Sequence, residues 1–199
     1  SPTVAPPRSP AAATFEHTLS RRLADYAQLC RPRIAVMTMV AVAAGFTLAS
    51  PLGVQWSTLL WSLAGIVLLV AASSILNQAL ERHTDARMVR TADRPVASGR
   101  VSVLESVCAA GLCTLVGSLL LWRFSTPAAA WATIATLVLY VFGYTVLKSR
   151  TSLCTTIGAI PGAMPPVLGW LAAGGHFGIE VVALFALFAP GYNLYQQKK

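Results

Sequence analysis

Asn77, Glu81 and Asp85 stand at i, i+4 and i+8 in the stretch N-Q-A-L-E-R-H-T-D, directly after a long apolar run. On a helix turning about 100° per residue each step of four drifts only about 40°, so the three side chains share one face and climb about 12 Å. Oxygen ligands in that arrangement suit a hard divalent cation such as Mg²⁺, which takes one or two carboxylates and keeps waters or substrate phosphates as its other ligands. From Ile34 to Leu76 there is no Asp, Glu, Lys, Arg or His, and then Glu81, Arg82, Asp85, Arg87, Arg90, Asp93, Arg94 and Arg100 arrive together. Carboxylates near a hydrocarbon boundary are costly unless paired or metal-bound. A guanidinium fork, in turn, matches phosphate oxygens in a bidentate way, so acids and arginines together point to a metal-held phosphate or diphosphate. The spacing fits equally well an ordinary charged loop whose acids pair with its own arginines, because i,i+4 acids are common on helices.

The elements that must position this comb are membrane helices. The chain is 55% hydrophobic and 11% charged with a mean hydropathy of +0.63, outside the balance of a soluble globular domain. A span takes about 20 apolar residues, and stretches of that kind run roughly 34–53, 58–79, 101–122, 127–147 and 155–174, with a sixth that begins near Phe177 and stops short. The expected architecture is an all-α polytopic transmembrane bundle of five complete spans plus a partial sixth. Gly158, Gly162, Ala163, Gly169 and Ala172 share the fifth span with Pro161, Pro165 and Pro166. That mixture predicts close helix packing and a kink.

Residues 1–18 are expected to form a disordered Pro/Ala-rich tail. Residues 19–31 have helical periodicity and read as an interfacial helix feeding the first span through Pro32; residues 191–199 read as a polar tail. Cys30, Cys108, Cys113 and Cys154 are scattered along helices and read as packing residues. The net charge of +8 reflects topology and anionic lipid contact, with no call for a nucleic acid partner.

Three stretches, in order, resemble one family. They are D-Y-A-Q-L-C-R-P-R-I at 25–34, N-Q-A-L-E-R-H-T-D-A-R-M-V-R-T-A-D-R-P at 77–95, and Y-T-V-L-K-S-R-T at 144–151 followed by G-A-I-P-G-A-M-P-P-V-L-G-W at 158–170. The chain resembles the heme O synthase (protoheme IX farnesyltransferase) family, within the UbiA-type superfamily of intramembrane prenyltransferases, over about residues 19–188. The resemblance implies Mg²⁺-dependent transfer of farnesyl from farnesyl diphosphate to a vinyl group of heme b, with water adding to give heme O. It implies Asn77, Glu81 and Asp85 as metal ligands, Arg90, Arg94 and Lys148 as diphosphate contacts, and Tyr144 and Lys148 as groups closing over the reacting centre. His83 lies about 200° around the helix from Glu81 and so off the metal face; it reads as an interface histidine, with a heme-iron ligand as the alternative.

Members of that family have nine helices and a second acidic motif on a later cytoplasmic loop. In this chain Asn193–Lys199 holds no Asp or Glu, so 19–190 is expected to be the N-terminal two-thirds of a prenyltransferase domain, a piece of something longer without prenyl transfer of its own. A quinone-precursor or chlorophyllide acceptor is the alternative within the enzyme class, and an inactive truncated membrane remnant the alternative outside it. The expected location is the bacterial inner membrane, or the mitochondrial inner membrane, with the acidic loop in the cytoplasm. Arg21, Arg22, Arg31 and Arg33 precede the first span, five arginines lie between Arg82 and Arg100, and Lys148 and Arg150 follow the fourth, whereas 51–57 carries no charge. Reporter fusions at Ser98 and Ser149 should therefore report cytoplasm and one at Val54 the opposite side; the reverse pattern would move the acidic loop across the membrane.

Overall fold

The computed structural model describes the backbone of residues 10–144 and 154–197 and the side chains of residues 20–143 and 160–188. All regular structure among the described residues is helical. The helices are α1 (Pro10–Cys30), α2 (Pro32–Leu48), α3 (Trp56–Asp85), α4 (Val103–Phe124), α5 (Pro127–Val138, continued by a π-helical turn Leu139–Tyr144), α6 (Cys154–Ala172) and α7 (Ile179–Gln197).

Among the described residues two helices, α3 and α4, are by themselves long and apolar enough to cross a membrane. A third span forms if the pair Ser20–Cys30 and Pro32–Leu48, bent by 49° at Arg31, is counted as one. Proline explains the bend, since Pro32 lacks an N–H and disfavours helical backbone in the residue before it. Proline also shortens α2 relative to the expected 34–53: the helix ends at Leu48, and the chain turns through Pro51 and Gly53, whose φ is +121°. At the other end, helical backbone reaches back to Pro10, inside the stretch expected as a disordered tail. In α7 it continues through Pro190 to Gln197, where a polar tail was expected.

The length of α3 matters most for the site. Its 30 residues make a rod of about 45 Å, whereas the hydrocarbon core takes about 20 residues. Counted from Trp56, the bilayer is used up near Leu76, so Asn77, Glu81 and Asp85 ride on a rigid extension of a span rather than on a loop.

Small residues hold the bundle together, as the glycine pattern predicts. A Cβ placed on Gly169 would strike the Val42 backbone, and one on Gly45 would strike the Pro166 backbone, so α2 and α6 meet main chain to main chain. Gly65 and Gly117 give the same intimacy between α3 and α4. Pro161, Pro165 and Pro166 all lie inside α6, whose Ala163, Val167, Leu168, Leu171 and Ala172 are buried. Cys30, Cys108 and Cys113 are free thiols. At the charged end, Leu29, Ala72, Ile75, Val96, Val101 and Ala110 form one apolar cluster that joins α1, α3, the loop after α3 and α4.

Replacing Gly169 by Val should cost at least about 2 kcal/mol, because the added carbons must force two backbones apart. Gly111→Ala, into open space, should fall within about 0.5 kcal/mol of the parent. Unfolding midpoints in micelles check this, and equal effects at the two sites would contradict the packing.

Candidate functional site

The helical extension brings the comb together as its spacing predicts. Asn77 and Asp85 are buried, Glu81 is half-buried, and the Asn77 amide Nδ2 donates to Glu81 Oε2 at 3.0 Å. After Asp85 the chain folds back through consecutive turns. Met88 N donates to Asp85 O, Thr91 N to Met88 O and Arg94 N to Thr91 O, while the buried Thr91 hydroxyl donates to Asp85 O at 3.0 Å. Val96 and Val101 then sink into the apolar cluster beside the buried Pro95 and pin the loop.

The consequence is a close ion pair. Arg94 Nη1 donates to Asp85 Oδ2 at 2.6 Å, with the carboxylate only 6% and the guanidinium 21% exposed. Asp85 and Arg94, expected as metal ligand and diphosphate contact, are thus brought into contact with each other. Arg90 is exposed and makes no ion pair with a described residue. Lys148 lies outside the described residues, as does the Tyr144 side chain. His83 is exposed, its Nε2 accepting from Arg82 Nε at 3.1 Å, off the comb face as expected.

Two residues enter the site that spacing did not single out. Arg31 occupies the break between α1 and α2 with φ +50°, the one non-glycine residue with positive φ among the described residues. Such backbone costs on the order of 1 kcal/mol and persists only where its surroundings hold it. Half-buried, Arg31 is opposed in its charged form first by burial and then by Arg94, while Glu81 and Asp85 within electrostatic reach favour it and Tyr140 lies nearby. Tyr140 belongs to the π-helical turn that extends α5, a local widening often found where a side chain must be re-aimed. Arg31 counts in the sequence only as a topological arginine, and the one signal that could have marked it is its place immediately before Pro32.

A second set of polar contacts fixes this end of the bundle. Arg100 donates to Asp25 Oδ1 at 2.8 Å, Asp93 Oδ1 at 2.7 Å, the Asp93 carbonyl at 2.8 Å and Gln28 Oε1 at 3.2 Å. The Tyr26 hydroxyl donates to Glu105 Oε1 at 2.5 Å, and the Ser102 hydroxyl caps α4 by accepting from Glu105 N. From α3, buried Gln78 donates to the Leu29 carbonyl at 2.9 Å. These contacts hold α1, and therefore Arg31, in register with α3 and the arginine loop.

Among the described residues no three His, Cys, Asp or Glu side chains converge on one point. The comb instead offers two carboxylates and an amide, a donor set that suits Mg²⁺, because that ion needs only one or two carboxylates from the protein. Arg94 already sets a cation against the buried acid. Arg31 lies within electrostatic reach of the same pair and of Glu81.

Comparison with known proteins places the chain in a family. Residues 38–193 match the UbiA prenyltransferase family. The chain is 38% identical over 173 residues to protoheme IX farnesyltransferase 1 of Pseudomonas fluorescens, covering 84% of this chain and 58% of that protein. It is 39% identical over 161 residues to protoheme IX farnesyltransferase of Azotobacter vinelandii, covering 80% and 54%. The chain thus spans under two-thirds of the length of these curated relatives. Among solved structures, digeranylgeranylglyceryl phosphate synthase superposes with a TM-score of 0.76 at 16% identity over 87% of this chain and 60% of that one. A UbiA homologue from Archaeoglobus fulgidus bound to DMAPP and Mg²⁺ gives 0.69 at 18% identity over 84% and 61%. At such identities the likeness is one of fold. With its all-helical, multi-pass membrane architecture and a family match across most of its length, the chain belongs to the UbiA prenyltransferase family.

Proposed function

We propose that the chain builds the N-terminal two-thirds, with the first acidic motif, of a protoheme IX farnesyltransferase, which moves farnesyl from farnesyl diphosphate to a vinyl group of heme b to give heme O. The observation that carries this reading is the buried acid of Asp85 on the helical extension of α3, paired with Arg94 and faced by Arg31. The names of the curated relatives select the farnesyl donor and the heme acceptor. The Archaeoglobus structure, with DMAPP and Mg²⁺ bound, supports a metal-assisted prenyl diphosphate site.

In this reading Asn77, Glu81 and Asp85 hold Mg²⁺, which when bound supplies positive charge to the departing diphosphate. Arg94, Arg90 and Lys148 contact the diphosphate oxygens, and Arg31 adds a further cation from the α1–α2 break. Tyr144 and Lys148 close over the site from the end of the fourth span. As the farnesyl C1–O bond breaks, the electron pair leaves on diphosphate oxygen while the vinyl group of the acceptor bonds to C1; water then adds to the resulting cation and loses a proton. The protein's part is to orient the two substrates and to surround the growing negative charge with fixed cations. The domain runs from 19 to 190, contributes five spans and part of a sixth, and sits in the bacterial inner membrane with the acidic loop in the cytoplasm, the side on which its arginines cluster.

A chimera in which residues 20–188 replace the matching segment of the Pseudomonas fluorescens relative should make heme O in membranes. Asp85→Ala in that chimera should lower turnover at least about a hundredfold while leaving insertion intact. Unchanged turnover in the Ala variant would remove the comb from the reaction. Arg31→Gln should raise the KM for farnesyl diphosphate about tenfold or more, since a half-buried cation facing the phosphate site is lost. An effect confined to the heme acceptor would place Arg31 elsewhere.

A further inference from the structure

The 2.6 Å bond between Arg94 and Asp85 sets a problem for any ligand that arrives alone. Asp85 is already matched by Arg94, and Arg31 lies within electrostatic reach of Glu81, Asp85 and Arg94, so the acids here have cations at hand before any ligand arrives. A divalent cation binding by itself must break a charge-assisted bond to a nearly buried carboxylate and leave Arg94 unpaired. The released guanidinium then faces both the metal and Arg31, whose like charge already opposes it. A diphosphate binding by itself meets two carboxylates, one of them holding the very guanidinium it would use.

The two ligands together remove both obstacles. The metal takes the place of Arg94 on Asp85, and the freed guanidinium turns to a phosphate oxygen, so one ion pair is exchanged for two. The turn that carries Arg94 is suited to this. Its backbone is held by the Thr91 contacts and the Arg100–Asp93 clamp before it and by the buried Pro95 after it, while a side chain of several rotatable bonds, 21% exposed, reaches Asp85 and can be re-aimed without moving the turn.

We propose that Arg94 is a displaceable counter-ion that couples binding of the divalent cation to binding of the prenyl diphosphate, each raising the affinity for the other by the same factor. The proposal rests on reading the comb as the metal site. It gives Arg94 a positioning role before any phosphate contact, and it makes the site select a metal–diphosphate pair over either ion alone.

The test uses the full chain in phosphatidylcholine nanodiscs, with Mn²⁺ as the probe. Free Mn²⁺ is read by its EPR signal, with and without non-hydrolysable farnesyl thiodiphosphate, each mixture referenced to the same one lacking protein. Arg94→Gln should bind Mn²⁺ alone at least about tenfold more tightly than the parent, and the analogue should then improve Mn²⁺ affinity far less than it does in the parent. Arg94→Lys keeps the charge but loses the forked geometry, so it should fall between the two and gives the reading should the Gln variant fail to fold. Unchanged or weaker Mn²⁺ binding in both variants, with binding still lost in Asp85→Asn, would overturn the counter-ion role and leave the metal site standing. Mn²⁺ binding in Asp85→Asn equal to the parent would overturn the metal site and the coupling together.

Discussion

A buried carboxylate at the edge of a membrane is the constraint around which this end of the molecule is organised. Asp85, with its side chain 6% exposed, cannot remain charged there without a cation, because ions lose several kcal/mol of hydration on leaving water. Everything nearby answers that need. The loop after α3 folds back through short turns to deliver Arg94, the α1–α2 break turns Arg31 inward at the expense of left-handed backbone, and Arg100 ties the two pieces to each other. Remove the acid, and the compact loop loses the partner of Arg94.

The rest of the fold serves as the frame. A 30-residue α3 carries the acids past the hydrocarbon without a joint, and glycine contacts to α4 limit its freedom to slide or rotate. On the far side, α2 and α6 are locked backbone to backbone through Gly45 and Gly169. The proposed site, holding a small dication and a highly charged leaving group, would gain from such rigid supports, because electrostatic stabilisation depends on groups already in place.

Where the physics is periodic, the sequence could be read. The one-face placement of 77, 81 and 85 follows from the helical repeat alone, and the Asn77–Glu81 bond joins the first two. The close approach at Gly169 follows from small residues in an apolar helix. Local irregularities escaped. The early end of α2 at Leu48 was masked by apolar residues continuing past it, although Pro51 was in view. The left-handed Arg31 and the π-helical turn bearing Tyr140 have no spacing signature, since each arises from how neighbouring helices meet. The Asp85–Arg94 pair shows why composition left the metal comb and the self-paired loop as rivals. The structure shows the self-paired arrangement at Asp85 and Arg94, and the metal comb is the proposed reading of the same residues.

The central claim is that the α3 extension holds a divalent cation against a diphosphate. Phosphorus-31 electron–nuclear double resonance on Mn²⁺ bound to the chain with farnesyl thiodiphosphate measures that contact directly. The account predicts a coupling typical of phosphate bonded to the metal, present in the parent and lost in Asp85→Asn. Mn²⁺ that shows only water protons in the parent, or a phosphorus coupling indifferent to Asp85→Asn, would contradict it.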